Sequence, residues 1–403
     1  MAGYRAIDIT SCSARGNIDI YFINDFSITI GGLVGSMEYY REDPVEIEGD
    51  IENTFLTPPI STDGGVNITG SYSAVDISCN YGELIGGFIA FLGADSEINI
   101  SDCYTTGNIT SQYGQVGGFF HSVVAFFQET GGLISNCYTT GRIEGEIAAG
   151  FVYWISDYHD GSKEFKSALK ISDCFTSGDM FSLGGHAIGF AGLSYDVDYY
   201  RCYSTGNISG GFAAIGFIYN TASMYNNINI IEECFRTGNV TITDYVLDSS
   251  SGDAASFICL AADVVIKNCY STSDIIVLRI LSGDLGGLVG NAYNTTLTNC
   301  YYTGTINVQD TSYLVGVGAI VGRWGSSKNI AINCHWLKSD NSLAVKAVGI
   351  SFVTTVIDST AYDDVFQMYE LAGTLNGCNG DSVWIKIPDG TPQLKFYFEG
   401  GDV

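Results

Sequence analysis

A seven-residue phrase, Cys-Tyr-x-Thr-Gly-x-Ile, recurs along most of this chain and constrains its fold more than any single residue does. The leading cysteines are 28 to 37 residues apart. Repetition at this interval indicates an array of stacked supersecondary units, in which no unit buries its apolar face alone. The copies occupy residues 103–109, 137–143, 174–180, 202–208, 234–240, 269–275 and 300–306.

A second phrase, two small residues followed by two apolar ones, lies between consecutive copies of the first, as at residues 31–34 and 286–289. Gly, Tyr, Phe, Ile and Thr are abundant whereas Lys, Arg and Gln are scarce, which favours strands over helices. Residues 97–101 alternate polar with apolar, as a half-buried strand does. We therefore predict an all-β fold, a parallel β-helix (β-solenoid) of about nine coils with repeats of about 32 residues. The Gly-Gly and Thr-Gly-Asn positions are expected at the corners of each coil.

The predicted domain organisation is a repeat β-solenoid over residues 1–340 and a C-terminal capping or assembly segment over 341–403. An inserted loop is expected at about 38–64, where three of the five prolines lie. Apolar residues at helical spacing after Thr360 predict a short helix, followed by the last strands. The N-terminal side shows no such feature, so we expect the first coil to have an open edge.

The two phrases together resemble the GLUG-type repeats of bacterial and archaeal cell-surface and secreted proteins. The resemblance covers about residues 5–340, and the run at 384–394 is similar to the segment that often ends such arrays. It implies a surface β-solenoid, and it brings no catalytic residue and no cofactor.

The charge balance of 17 basic against 44 acidic residues gives a net charge of −27. Nucleic acids and anionic membrane surfaces need Lys/Arg clusters, so they are excluded as partners. No apolar run is long enough for direct membrane insertion. Because the repeat starts near residue 1 without a secretory signal, we interpret the chain as the mature form of an extracellular or cell-surface protein. Surface glycans and cations are the candidate ligands.

The twelve cysteines could form a buried thiol ladder, disulfides or a metal site. Zinc ligands are usually two to four residues apart, a spacing absent here, so no metal is expected. The remaining alternatives stay open, with the ladder favoured. Candidates for disulfide or intermolecular bonds are Cys12, Cys79 and Cys378. The predicted structural column comprises Cys103, Cys137, Cys174, Cys202, Cys234, Cys269, Cys300 and Cys334.

Six Asn-x-Ser/Thr sequons are candidate glycosylation sites, although the same tripeptide also arises from the repeat itself. The sequence does not distinguish the two origins. The asparagines are Asn67, Asn99, Asn108, Asn207, Asn239 and Asn294.

Candidate catalytic groups are Asp157, His159 and Asp160 in one insertion, His186, and the pair at 363–364. They show no pair of carboxylates with a base at one coil position, so we predict that the protein is not an enzyme. Aromatic residues could instead form a carbohydrate-stacking face or interlock neighbouring rods. Many of them belong to the aromatic column that follows each cysteine, and only those in insertions count toward function. The candidates are Tyr39, Tyr40, Tyr195, Tyr199, Tyr200, Tyr301, Tyr302, Trp154, Trp324, Trp336 and Trp384.

The predicted function is that of a non-catalytic structural protein of the cell exterior, whose copies assemble through end and lateral contacts into a filament, layer or sheath. The Gly- and Tyr-rich, Lys-poor composition resembles that of a durable coat such as the tubular sheath of methanogenic archaea. The alternative is an adhesin-like surface stalk that binds carbohydrate or a host or partner surface.

Overall fold

The computed structural model describes residues 7–20, 29–37, 65–80, 84–94, 97–125, 131–157, 169–224, 227–243, 254–278, 283–309, 314–338, 343, 346–351, 356–368, 371–376, 383–387 and 390–399. Within them the chain is a parallel β-solenoid, which confirms the predicted fold class. A nine-stranded sheet takes one strand from each of nine successive coils, in agreement with about nine coils. The other faces join in a 35-stranded sheet.

A full coil has five strand positions, and each strand pairs in parallel with the same position of the coils before and after it. The first strands, which precede the cysteine, are Ile7–Thr10, Val66–Thr69, Ile98–Ser101, Gly132–Ser135, Leu169–Ser172, Val197–Tyr200 and Asn229–Glu232. The second strands, which follow it, are Tyr104–Thr105, Tyr138–Thr139, Phe175–Thr176, Tyr203–Ser204, Phe235–Arg236, Tyr270–Ser271 and Tyr301–Tyr302. The third strands are Ile109–Ser111, Ile143–Glu144, Met180–Ser182, Ile208–Gly210, Val240–Ile242, Ile275–Val277 and Ile306–Val308.

The fourth strands form the nine-stranded sheet and end in the second sequence phrase. They are Thr29–Gly31, Leu84–Gly86, Gln115–Gly117, Ile147–Ala149, His186–Ile188, Ala213–Ile215, Ala254–Ala255, Gly283–Gly286 and Leu314–Gly318. The fifth strands are Val34–Met37, Ile89–Ala94, Phe120–Ala125, Val152–Asp157, Ala191–Tyr195, Ile218–Ala222, Val321–Trp324 and Val348–Ser351. Some strands cover two positions, namely Ser13–Ile20, Tyr72–Cys79, Ile258–Lys267, Val289–Thr298, Ile330–Leu337 and Val356–Tyr362.

The sharp corner between the first and second strands was not anticipated. The residue before each cysteine of the predicted column has a left-handed backbone with φ between 51 and 55°. Asn and Asp tolerate this conformation better than most residues, and they fill six of these eight positions. The corner residues are Asp102, Asn136, Asp173, Arg201, Glu233, Asn268, Asn299 and Asn333.

The core is a set of inward columns in which equivalent residues of successive coils stack. One column contains Ile68, Ile100 and Ile134, which align in register and are fully buried. Another is a ladder of stacked phenylalanine rings with centroids 4.5 to 5.0 Å apart. Its members are Phe88, Phe119, Phe151, Phe190, Phe217 and Phe257.

The parallel ladder continues past the predicted boundary at residue 340, because Val356–Tyr362 still pairs with Ile330–Leu337. The C-terminal segment then forms three short helices, α1 (Val365–Met368), α2 (Leu371–Asn376) and α3 (Lys395–Glu399). Trp384–Ile385 pairs antiparallel with Gln393–Leu394. The predicted inserted loop at 38–64 lies outside the described residues, as do Tyr39, Tyr40, His159, Asp160 and Cys378.

Candidate assembly surfaces

The structure places all eight cysteines of the predicted column in the core as free thiols. Cys174 is representative, since its Sγ donates to the carbonyls of Ser172 (3.1 Å) and Ile134 (3.7 Å). Desolvation raises the pKa of Cys174 and Cys234 well above the usual thiol range. Thiolate is the reactive form, so these two thiols act as unreactive apolar packing.

The other candidate cysteines occupy different environments. Cys12 and Cys79 are both free thiols, Cys12 being exposed and Cys79 buried. Cys12 lies at the N-terminal end of the cysteine column, where its backbone N–H donates to Ser71 Oγ at 3.0 Å. Disulfide formation by Cys12, Cys79 or Cys378 remains a prediction.

The candidate catalytic residues in the described part of the chain lie on different strands and are not brought together. Asp157 is buried at the end of a fifth strand. His186 stacks on Phe212 with ring centroids 5.0 Å apart, and burial lowers its pKa to about 4. Asp363 follows the last coil and makes an exposed ion pair with Lys338 at 3.1 Å. Across the described residues, no three His, Cys, Asp or Glu side chains are placed to share a metal ion.

Three of the sequon asparagines are exposed and lie just before a third strand. Asn108 Oδ1 accepts the backbone N–H of Arg142 in the next coil at 3.0 Å. Asn207 Oδ1 accepts the N–H of Asn239 in the same way, also at 3.0 Å. These side chains therefore help to hold consecutive coils together.

The other three sequon asparagines are half-buried, and their amide nitrogens donate to the preceding coil. Asn67 donates to Asp8 at 3.0 Å and Asn99 donates to Asn67 at 3.3 Å. Asn294 donates to Asp263. A structural role thus accounts for asparagine at these positions, and glycosylation of the six sites stays a prediction.

An aromatic ladder stands on the outside of the solenoid, one ring after each cysteine position. Adjacent ring centroids are 4.6 to 5.0 Å apart and the planes are within 9° of parallel. The ring faces therefore cover one another and only ring edges point outward. The ladder comprises Tyr72, Tyr104, Tyr138, Phe175, Tyr203, Phe235, Tyr270 and Tyr301.

Burial removes some candidates from the predicted carbohydrate-stacking face, and such a face on the remaining candidates stays a prediction. A sugar stacks on an exposed ring face, but six of the aromatic residues proposed for that face are buried. They are buried because they lie either in the core or in the contact between the C-terminal segment and the solenoid. These residues are Tyr199, Tyr301, Tyr302, Trp324, Trp336 and Trp384.

The C-terminal segment folds back along the side of the solenoid and covers half of the aromatic ladder. Trp384 lies against Tyr270 and Tyr301, with centroid distances of 5.8 and 5.5 Å. Tyr397 meets Phe235 edge to face at 5.0 Å. The other half of the ladder, from Tyr72 to Phe175, stays half-buried. The segment thus covers a side of the solenoid.

The first coil exposes the interior of the solenoid at one end. Ile9 and Ile18 point inward in register with Ile68 and Ile77, yet they are only partly buried whereas their partners are buried. No strand in the described part of the chain pairs with the outer edge of Ile7–Thr10 or of Ser13–Ile20. The first coil therefore presents unpaired backbone beside apolar side chains, as an edge strand does.

The last coil exposes the interior at the other end. Val356–Tyr362 pairs with Ile330–Leu337 on one edge, and the described residues contain no strand on its other edge. Ile357 aligns with Ala331, which is 2% exposed, but Ile357 itself is 41% exposed. Among the described residues, neither end of the solenoid is thus covered by a further strand.

A buried arginine is the main residue that the sequence pattern did not reveal. Arg236 occupies an inward position between Ser204 and Ser271 of the adjacent coils, whose small side chains leave it room. It is fully buried and donates to the carbonyls of Ser204 (3.1 Å) and Gly206 (2.5 Å). Burial lowers its pKa, because the charged form loses its hydration.

We expect Arg236→Ala to lower the free energy of unfolding by about 2 to 5 kcal/mol, because it leaves a cavity and removes two hydrogen bonds. Arg142→Ala is the matched control, since Arg142 makes an exposed ion pair with Glu144 at 3.0 Å and lies over the Phe181 ring at 5.8 Å, and the loss of these exposed contacts costs about 1 kcal/mol or less. Urea denaturation followed by circular dichroism measures both. Equal midpoints for the two variants would contradict the structural role of Arg236.

The family model of the GLUG motif matches residues 282–307. This match spans a second-phrase copy at 286–289 and a first-phrase copy at 300–306, and it confirms the resemblance to GLUG-type repeats. No curated protein and no solved structure matches the chain. None of the helices in the described residues has the length and apolar character that crossing a membrane requires. GLUG repeats on a parallel β-solenoid are typical of non-enzymatic repeat proteins of the cell surface.

Proposed function

We propose that this GLUG-containing β-solenoid is a non-catalytic structural protein of the cell exterior, whose copies assemble through their strand edges into a filament, layer or sheath. The observation that carries the proposal is the first coil, where unpaired backbone lies beside the half-exposed Ile9 and Ile18. Such an edge is a template for pairing with another chain, and association buries both the backbone groups and the apolar surface.

The net charge of −27 affects how copies associate. Like charges repel over about 10 Å at 0.1 M salt, so added salt or cations should promote assembly. Self-repulsion also keeps free copies apart until their ends meet. Cations are accordingly the proposed accessory ligands, and other copies of the chain are the proposed partners.

The adhesin-like alternative is less well supported. Its carbohydrate face would need exposed aromatic ring faces, but in the aromatic ladder these faces cover one another. The assembly proposal, in contrast, has a surface through which copies could associate, namely the open first coil. Electron microscopy separates the two functions, because an adhesin stalk gives isolated rods and a coat protein gives regular polymers.

Thr10→Pro should abolish polymers without unfolding the solenoid. The Ser11 N–H donates to the carbonyl of Thr69, which aligns with Thr10, so the backbone groups of Thr10 face away from the second coil. Proline at that position removes only an outward donor, which edge strands tolerate. Negative-stain microscopy and sedimentation of purified protein measure the loss.

Thr10→Ala keeps the backbone donor and is the matched control, which should assemble as the unmodified chain does. Equal circular dichroism spectra establish that both variants fold. The proposal fails if the unmodified chain stays as isolated rods at high concentration and high salt. It also fails if Thr10→Pro and Thr10→Ala form the same polymers.

A further inference from the structure

We propose that the outer edge of the first coil pairs with the outer edge of the last coil of a second copy, so that two solenoids join into one continuous parallel ladder. The inference rests on the proposed function and names the surface on which the first coil docks. The strands concerned are Ile7–Thr10 and Ser13–Ile20 at one end and Val356–Tyr362 at the other. Each already pairs in parallel on its inner edge.

The two ends terminate the same inward column. Register pairings connect Ile9 to Ile357 through one residue of every coil. Ile9 is half-buried and Ile357 is 41% exposed, whereas the residues between them are at most 2% exposed. Stacking Ile357 of one copy on Ile9 of the next would complete the column and remove both apolar side chains from water. The intervening residues are Ile68, Ile100, Ile134, Ile171, Tyr199, Ile231, Ile266, Leu297 and Ala331.

The residues beside this column leave space for the contact. The position of the aromatic ladder is held by Ser13 in the first coil and, after His335, by Thr360 in the last coil, so neither terminal residue is a ring. The cysteine column ends with the exposed Cys12 and with Ser359, which aligns with Cys334. Small side chains at both ends allow the backbones to approach to the spacing of paired strands, about 4.8 Å.

The backbone hydrogen bonds also continue across such a junction. The backbone carbonyl of the residue at the cysteine position accepts a hydrogen bond from the following coil, and the donor is the N–H of the residue two positions after the corner residue. The Cys300 carbonyl, for example, accepts the N–H of His335 at 2.9 Å. Cys12 accepts from Tyr72 in the same way, also at 2.9 Å. Ser359 holds this position in the last coil, so its carbonyl would accept the N–H of Ser13 from the next copy. Cys12 would then be enclosed between two coils.

A pair of complementary variants tests this inference. Ser13→Pro removes the donor at the first coil and leaves the last coil intact. Ile357→Lys places a charge in the column at the last coil and leaves the first coil intact. We expect each variant alone to be monomeric and an equimolar mixture to form a species of twice the mass by light scattering. Ile357→Met keeps the column apolar and should polymerise as the unmodified chain does.

Maleimide labelling of Cys12, located by peptide mass spectrometry, reports the geometry of the mixed dimer. Cys12 of the Ile357→Lys copy should lose its labelling on mixing, because its first coil is covered. Cys12 of the Ser13→Pro copy should label as it does in the monomer. The proline gives the two Cys12 peptides different masses.

Each other outcome is decisive. If Ile357→Lys dimerises alone, two first coils pair with each other, and the inference is overturned while edge assembly stands. If the mixture stays monomeric although the unmodified chain polymerises, the first coil does not join the last coil, and the inference is overturned. Thr10→Pro then decides the proposed function separately, because its loss of polymers would show that the first-coil edge is still used. If the unmodified chain does not polymerise under the same conditions, both this inference and the proposed function fail.

Discussion

Gly118→Val is expected to lower the free energy of unfolding by more than about 4 kcal/mol, the range reserved for the most disruptive single substitutions. A Cβ at Gly118 would lie 2.1 Å from the carbonyl oxygen of Gly150 in the next coil. Neither group can move without separating two paired coils. The expected result is loss of the β-sheet circular dichroism signal or a much lower urea midpoint.

The clash follows from a stack of glycines in the second sequence phrase. A Cβ at any of seven of them would lie 1.6 to 2.1 Å from a carbonyl oxygen of the next coil. Ser256 and Ala319 occupy this position in two of the later coils. The seven are Gly32, Gly87, Gly118, Gly150, Gly189, Gly216 and Gly287.

Gly184→Val is the matched control for Gly118→Val. Gly184 is exposed, and a Cβ there would meet no atom within 4 Å, so the expected change is within about 0.5 kcal/mol. Indistinguishable urea midpoints for the two valine variants would show that the coils can separate at Gly118 without cost.

Trp384→Ala is expected to weaken the docking of the C-terminal segment on the aromatic ladder by about 3 to 5 kcal/mol, the cost of truncating a buried tryptophan. Trp384 is 2% exposed and contacts Tyr270 and Tyr301. Hydrogen exchange should show loss of protection at 383–397, with little change in the coils. Binding of an apolar dye should increase as the covered rings become exposed.

Tyr293→Ala is the matched control, because it removes an aromatic side chain that lies away from the contact between the C-terminal segment and the aromatic ladder. Tyr293 is 59% exposed, and its removal should change stability by no more than about 0.5 kcal/mol. If Trp384→Ala leaves the protection of 383–397 unchanged, the tryptophan does not hold the segment in place.

The repeat made the solenoid predictable, because a phrase that returns every coil must occupy the same position in each. It did not reveal the corner at Asp102 and its equivalents, although Asp and Asn before each cysteine carried the signal of a left-handed backbone. It did not reveal the buried Arg236 either, because the carbonyls that receive its guanidinium come from another coil. Bonds between coils depend on register, which sequence spacing alone does not give.

The candidate assembly surfaces were predictable only in part. The absence of a capping pattern before Ile7 predicted an open first coil, and the described residues show that edge unpaired. The path of the C-terminal segment was not predictable. Apolar residues at helical spacing indicate which face of a helix is buried, but they do not indicate which part of the solenoid that face packs against. Its contact with the aromatic ladder is decided by long-range packing.

Backbone hydrogen bonds between coils run along the axis of the solenoid, so a pulling force on its two ends loads every strand of a coil simultaneously. The coils are not equally resistant to this tension. In the described residues the third-strand position ends with Ile306–Val308 and the fourth with Leu314–Gly318, so the paired strands of the last coil are Val348–Ser351 and Val356–Tyr362. Under axial load the rod should therefore yield first at its C-terminal coil, leaving the rest of the array intact.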